Sequence, residues 1–371
     1  MLKKVEITNF KNFNEKFTFD LSDTNNFEFN QECIQNGIVN TGVIYGHNGC
    51  GKSNLGLAIF DLVAHLTDKK KRETKSDYYL NANNSEKKAT FKFTFLLNDI
   101  EVVYEYTKSD IQTLISEELI INNELFATIN REENTIFKTT IKGTENLIKD
   151  VGESNISIIS YIANNTILED NLTNQIFKKF REFLNNMLLF KTLDERLYIG
   201  YEQGNHDIQN EIIEQNHLPE LQIFLNQVGI VCKLKSKDVD GKFKIFFQFN
   251  NKDIAFNSIA STGTKALLGF YFWYQRMKNK KQQQFVFIDE FDAFYHHDLS
   301  TIIIQRLREV TNTQIILTTH NTTNISNDIL RPDCYFIMDD NKITSLKNRT
   351  HKELRQAHNI EKMYRAGSFE K

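Results

Sequence analysis

The residues with the clearest chemistry form one short run, Gly46-His47-Asn48-Gly49-Cys50-Gly51-Lys52-Ser53, which fits G-x-x-x-x-G-K-[ST] at every fixed position. Glycines at this spacing let successive backbone N–H groups turn inward around an anion. A helix starting near Gly51 aims the positive end of its dipole at the same point. Lys52 then supplies a point charge to the β- and γ-phosphates of a nucleoside triphosphate, and the Ser53 hydroxyl is a ligand for Mg²⁺. Gly46, His47, Asn48, Gly49, Cys50, Gly51 and Asn54 make up the rest of the expected binding loop. Cys50 offers a target to thiol modifiers; its plainer role is to fill space.

Two further segments complete this chemistry. Residues 285–290, Phe-Val-Phe-Ile-Asp-Glu, read as a buried strand ending in two adjacent carboxylates. Successive strand residues point opposite ways, which directs Asp289 to the Mg²⁺ shell and Glu290 to the γ-phosphate and its water. The plain alternative is a pair of strand-end caps. Residues 314–320 read as another apolar strand ending in His320. A lone histidine there is usually structural. At the spacing of the next parallel strand, it approaches the γ-phosphate.

The elements that must position these groups follow from periodicity. Val5, Ile7, Phe17, Phe19 and Leu21 alternate with polar neighbours, as in strands. Residues 37–45 form an apolar run into the glycine loop, and Leu55, Leu57, Ile59, Leu62, Val63 and Leu66 give 51–67 the buried face of a helix. Period two returns over 89–141, with hairpin turns expected at Asn98-Asp99 and Asn122-Asn123. Residues 156–163 read as a core strand, 171–230 as mainly helical, and 242–249 as a strand. The remainder reads as helix 264–279, strand 285–290, helix 299–309, and strands 314–318 and 334–339. Strands alternating with helices imply a parallel sheet.

Composition narrows the class. With 371 residues, 40% hydrophobic and 25% charged, the chain has the make-up of a soluble globular protein of one large or two small domains. No run reaches the roughly 20 apolar residues of a membrane span, and the first residues carry no apolar signal core. Four cysteines, Cys33, Cys50, Cys232 and Cys334, stand far apart without CxxC or CxxH spacing, against a zinc site or disulfide framework and in keeping with a reducing, cytoplasmic setting. A formal charge of -3 gives no global pull toward nucleic acid. The basic run 69–72 lies in a polar stretch and reads as a solvated loop.

Taken together, these motifs resemble the ABC ATPase superfamily, in its SMC, RecF and OLD branch. Ile7-Thr8-Asn9-Phe10-Lys11-Asn12-Phe13 looks like that branch's opening strand and turn, which makes Lys11 and Asn12 candidate ATP contacts. Asp289 and Glu290 match the Walker B pair, 292–298 the D-loop region and His320 the switch histidine. Residues 259–267 stand where the ABC signature belongs, with Thr262 and Thr264 replacing its first glycine and its Gln or Glu. Ser261, Thr262 and Gly263 are the implied contacts to a γ-phosphate of the opposite subunit; alone, Ser-Thr-Gly-Thr is equally an N-cap and turn. A glutamine-loop counterpart is not evident, with Asn164 or Asn165 the nearest candidates.

The resemblance implies an α/β fold, a P-loop NTPase with an ABC-type ATPase head of mixed central sheet plus antiparallel β lobe. Residues 1–67 and 254–371 would form the head and 68–253 a mixed β/helical insertion. It implies ATP and Mg²⁺ as ligands, catalysis by Lys52, Glu290 and His320, Mg²⁺ on Ser53 and Asp289, and a head-to-tail homodimer, or higher oligomer, around two ATP molecules. Residues 287–295, 317–321 and 358–367 also look like bacterial single-domain ATPases of abortive-infection operons. The stretch after His320 is too short for the nuclease domain of OLD proteins, so the implied partner is a separate effector, a nuclease or toxin. DNA stays open as a partner, no membrane is implied, and a RecF-like DNA-clamp ATPase or a transporter nucleotide-binding subunit are the competing readings.

Overall fold

In the computed structural model the described residues are 1–67, 69, 78–192, 198–200 and 207–370. Residues 70–72 of the basic run lie outside them. Two compact units emerge: Met1–Tyr201 with Gln282–Phe291 and Thr313–Lys371, and Glu202–Lys281 with Asp292–Asn312.

The first unit holds two seven-stranded sheets. One is antiparallel: Leu2–Thr8 sits between Phe17–Asp20 and Ala89–Leu97, and the sheet runs on through Ile100–Lys108, Leu114–Ile121, Glu124–Asn130 and Lys138–Thr139. Its two hairpins turn at Asn98-Asp99 and Asn122-Asn123, all four residues at positive φ (50°, 59°, 53° and 62°). That is the type I′ geometry whose twist matches the strands, and Asn and Asp tolerate it best after glycine. Phe91, Phe93, Phe95, Tyr104 and Tyr106 are fully buried on one face. Phe91 stacks on Tyr106 at 4.9 Å.

The other sheet is mixed. Leu188–Lys191, Gln284–Asp289, Thr313–Thr319, Thr41–Tyr45 and Tyr335–Asp339 run parallel in that order, with Tyr198–Ile199 and Lys342–Ser345 antiparallel at the edges. Every residue of the three central strands is buried, which explains their near-continuous apolar runs. Helix Lys52–Leu66 packs against this sheet, and a Cβ on Gly56 would stand 2.9 Å from the Phe287 ring.

Two expectations fail locally. Residues 156–163 are not a strand; Ile158–Asn165 is a helix capped by Ser157, whose Oγ accepts from Ser160 N. Its buried Ile158, Ile159 and Ile162 fit one helical face, and the cap overrides the β-branched run. Within the stretch expected to be helical, Leu188–Lys191 is a half-buried strand following helix Leu172–Asn185.

The antiparallel sheet meets helix Lys52–Leu66 through buried polar groups. Lys108, fully buried, donates to Asp61 Oδ2 at 2.9 Å, and Tyr106 OH donates to the same oxygen at 3.0 Å. His65 Nε2 lies 2.9 Å from Tyr104 OH, which donates to Glu117 at 3.0 Å. Glu117 also accepts from Ser157 Oγ at 2.7 Å and Ile158 N at 2.5 Å. Its carboxyl is pushed up by burial, against the pull of these donors.

The second unit is built from helices Ile208–Glu214, Leu218–Gln227, Phe256–Ile259, Thr262–Asn279 and His297–Arg308 with a three-stranded antiparallel sheet, Leu234–Val239, Lys242–Gln248 and Asp253–Ala255. Among the described residues no helix is long and apolar enough to cross a membrane.

Removing one member of a buried ion pair strands the other. Lys108→Ala is expected to cost about 3–5 kcal/mol in urea unfolding, whereas Asp61→Leu with Lys108→Met recovers most of that loss.

Candidate nucleotide-binding and catalytic site

The register of the parallel strands brings the motifs together. Thr319 lies opposite Tyr45, and Ile288 opposite Leu317, so three neighbouring strands end at one edge. From that edge emerge the glycine loop, the Asp289–Glu290 pair and His320. Crevices at the carboxyl ends of parallel strands are where open α/β sheets bind ligands.

The loop is shaped by close contacts. A Cβ on Gly46 would stand 2.5 Å from the Met338 carbonyl and 2.6 Å from Cys50 Sγ. Gly51 has φ +104°, and its Cβ would stand 2.3 Å from Asn12 Nδ2. Asn12 in turn accepts from Asn54 Nδ2 at 2.7 Å and donates to the Cys50 carbonyl at 3.4 Å. Asn12 thus braces the loop from outside. Lys11, also at positive φ, donates through its Nζ to the Tyr78 carbonyl at 3.2 Å. Burial, then the charge of Lys191, holds its ammonium below its usual range.

Lys52 is 5% exposed and folds over the loop. Its Nζ donates to the carbonyls of Gly46 at 2.7 Å and His47 at 3.1 Å, and lies 3.3 Å from His320 Nδ1. Burial lowers its pKa; Cys50, Asp289 and Glu290 pull the other way. Cys50 is fully buried and burial pushes its thiol up, which is in keeping with a space-filling side chain. His47 is exposed, its Nε2 3.4 Å from Asp340. Ser53 and Asn54 occupy the first turn of the helix, both half-buried.

The carboxylates are oriented differently from simple strand alternation. The strand ends at Asp289, and Glu290 turns into the left-handed region, φ +51°. Its N–H donates to Thr318 Oγ1 at 2.8 Å, and the Thr318 hydroxyl donates to Asp289 Oδ1 at 2.7 Å. A buried threonine therefore ties both acids to the neighbouring strand. In the sequence Thr318 is one of two adjacent threonines closing an apolar run before His320, and that pair of hydroxyls is the local signal of its role. His320 links the groups: Nδ1 is 3.0 Å from the Gly46 carbonyl and Nε2 3.4 Å from Glu290 Oε1.

Ser261 belongs to the second unit and caps helix Thr262–Asn279, its Oγ accepting from Thr264 N at 3.1 Å and lying 2.9 Å from Thr264 Oγ1. Thr264 takes the place of the missing amide as a buried partner of the cap. Thr262 is exposed, and a Cβ on Gly263 would meet the Phe294 carbonyl of the D-loop region at 3.2 Å. Asn164 and Asn165 end helix Ile158–Asn165, whose Ser160 bonds to the His65 carbonyl at 3.4 Å. That contact sits at the opposite end of the Lys52–Leu66 helix, about 20 Å from the loop. They do not reach the phosphate site.

The family described as "AAA domain, putative AbiEii toxin, Type IV TA system" matches residues 43–326. No curated protein matches the chain. Among solved structures, the crystal structure of the SmcHead bound to the C-winged helix domain of ScpA aligns over 94% of this chain and 99% of that one, at 16% identity and a TM-score of 0.50. The SMC head domain from Thermotoga maritima aligns over 93% and 98% at 16% identity, with a TM-score of 0.42. The first alignment shows a shared fold.

Gly51→Ala forces a left-handed residue and a clash with Asn12, strain of about 1–3 kcal/mol. Binding of a fluorescent ATP analogue is expected to weaken about tenfold or more, and the same strain should lower the thermal unfolding midpoint by a few degrees.

Proposed function

The chain belongs to this AAA-domain family, and we propose that it is an ATP-hydrolysing regulatory ATPase that dimerises around ATP and serves a separate effector in antiphage defence. An ATPase of the AAA and SMC-head type is the common ground of the family match and the fold. What carries the finer reading is the junction of Lys52, His320 and Glu290 at one sheet edge, each within 3.4 Å of the next.

The residues present suit a magnesium triphosphate. Gly46 and Gly51 let the loop backbone pack against Met338, Cys50 and Asn12 where a side chain would clash, and in such a tight glycine loop the backbone amides would cradle the phosphates. On arrival of ATP, Lys52 exchanges the Gly46 and His47 carbonyls for the β- and γ-phosphates. Ser53 and Asp289 would hold Mg²⁺, which neutralises charge on the phosphate oxygens. Asp289 is kept as an acceptor by the Thr318 hydroxyl. Glu290 orients the attacking water and accepts its proton, and His320 stabilises the charge that develops on the γ-phosphate. Lys11 and Asn12 contact the nucleotide from the amino-terminal turn. Ser261, with the amides of Thr262 and Gly263, closes the site from a second copy of the chain. Catalysis of this kind is positioning plus electrostatics.

The defence role rests on the AbiEii wording of the family. A nuclease or toxin in the neighbouring reading frame, silent until this ATPase changes state, would be the effector, and the cytoplasm the place of action.

Glu290→Gln is expected to lower kcat by about 10²–10⁴-fold while keeping ATP bound, and to elute as a dimer on light-scattering chromatography. Parent-rate hydrolysis by this variant would remove the role given to Glu290. A monomer at saturating magnesium ATP would remove the dimer.

A further inference from the structure

The sheet of the second unit has two unlike faces. Residues directly opposite one another in an antiparallel pair project to the same side. The registers Lys235↔Phe246, Lys237↔Lys244 and Val239↔Lys242 therefore gather four lysines around Phe246 on one face. Lys233 joins them one step before the strand, where its carbonyl accepts from Gln248 N at 2.9 Å. The other face carries Ile245 and Phe247, both buried, with Phe247 stacked on Phe256 at 5.0 Å. None of the five lysines is buried.

Like charges placed directly across a ladder are destabilising. Lys237 against Lys244 is such a pair. Asp253 relieves part of the repulsion, 2.8 Å from Lys237 and 3.6 Å from Lys235, and Asp207 pairs with Lys244. Lys233 and Lys242 meet no carboxylate among the described residues. Five lysines against two carboxylates leave a positive surplus on one face of a chain whose formal charge is -3. Lys237 Nζ lies 5.0 Å from the centroid of the half-exposed Phe246 ring, so an apolar platform is framed by cations.

We propose that this face binds single-stranded nucleic acid through its phosphates, with Phe246 as a stacking platform for one base. Alternate lysines along a strand stand about 6.5–7 Å apart, and a regular polyanion satisfies such a row in succession. A flexible strand can follow the flat sheet, and stacking on an aromatic ring needs no particular base. An acidic protein segment would answer the lysines but would leave the ring unused. This reading goes beyond nucleotide hydrolysis and does not depend on it.

The test is fluorescence anisotropy of labelled oligothymidine with the full chain, with and without magnesium ATP, across about 50 to 200 mM salt. Binding is expected, with a logarithmic salt slope of about −0.7 per phosphate engaged. Lys235→Gln, Lys237→Gln and Lys242→Gln together should weaken binding about tenfold or more and flatten the slope by about two. Phe246→Leu should weaken it with the slope unchanged. A control with the same charge change at the exposed Lys138, Lys142 and Lys149 should bind as the parent does, and ATPase activity without nucleic acid should be equal in all. Should the triple variant unfold, photocross-linking of a bromodeoxyuridine oligonucleotide to the parent must label residues 233–248. Absence of binding, equal weakening in the control, equal affinity for the duplex, or equal competition by polyglutamate would each overturn the proposal.

Discussion

The constraint on which the rest depends is the placing of one buried ammonium beside two carboxylates at the end of a parallel sheet. Lys52 is nearly without solvent, and burial alone disfavours its charge. Cys50, Asp289 and Glu290 favour its charged form, and the Gly46 and His47 carbonyls accept its hydrogen bonds. Its hydrogen bonds go to the Gly46 and His47 carbonyls of the loop, which on the proposed function would give way to phosphate oxygens. Preorganised charge of this kind acts where charge develops and costs no reorganisation when it acts.

The supports of that arrangement come from distant parts of the chain. Thr318 fixes Asp289 and the Glu290 backbone; Asn12 fixes Gly51; the Asp61–Lys108 pair fixes the middle of the loop's helix against the antiparallel sheet. Each is a polar group in a buried place, satisfied by specific partners. Such groups cost stability unless paired and in exchange admit a single arrangement. Glu290 at φ +51° belongs to the same logic, a left-handed residue kept in place by its bond to Thr318.

Much of this was legible in the order of residues because it is local. The glycine loop, the apolar strands before Asp289 and His320, and both Asn-rich hairpins are set by neighbours within a few positions, where spacing and turn chemistry decide the geometry. The failures share a cause. Ile158–Asn165 is apolar and β-branched, and its helical state is decided by Ser157 and a glutamate 40 residues earlier. Leu188–Lys191 is a strand because a parallel neighbour, Gln284–Asp289, lies beside it. Thr318 offered only a hydroxyl at the end of an apolar run, since the partners that give it a role come from another strand. Nothing in the spacing of residues shows a partner supplied by a distant part of the chain.

The same distinction applies to charge. A formal total of -3 argues against nucleic acid when the chain is treated as one body, yet the field near a surface depends on what lies within a Debye length, about 8–10 Å. On the lysine face of the second unit's sheet the ion-pairing carboxylates are Asp207 and Asp253, while Asp238 projects from the opposite face. Strand alternation, and not composition, concentrates them: Lys233, Lys235 and Lys237 are separated by single residues, so period two puts all three on one side. A net charge near zero is therefore compatible with a strongly polar surface, because the sheet sorts residues by parity before solvent sees them.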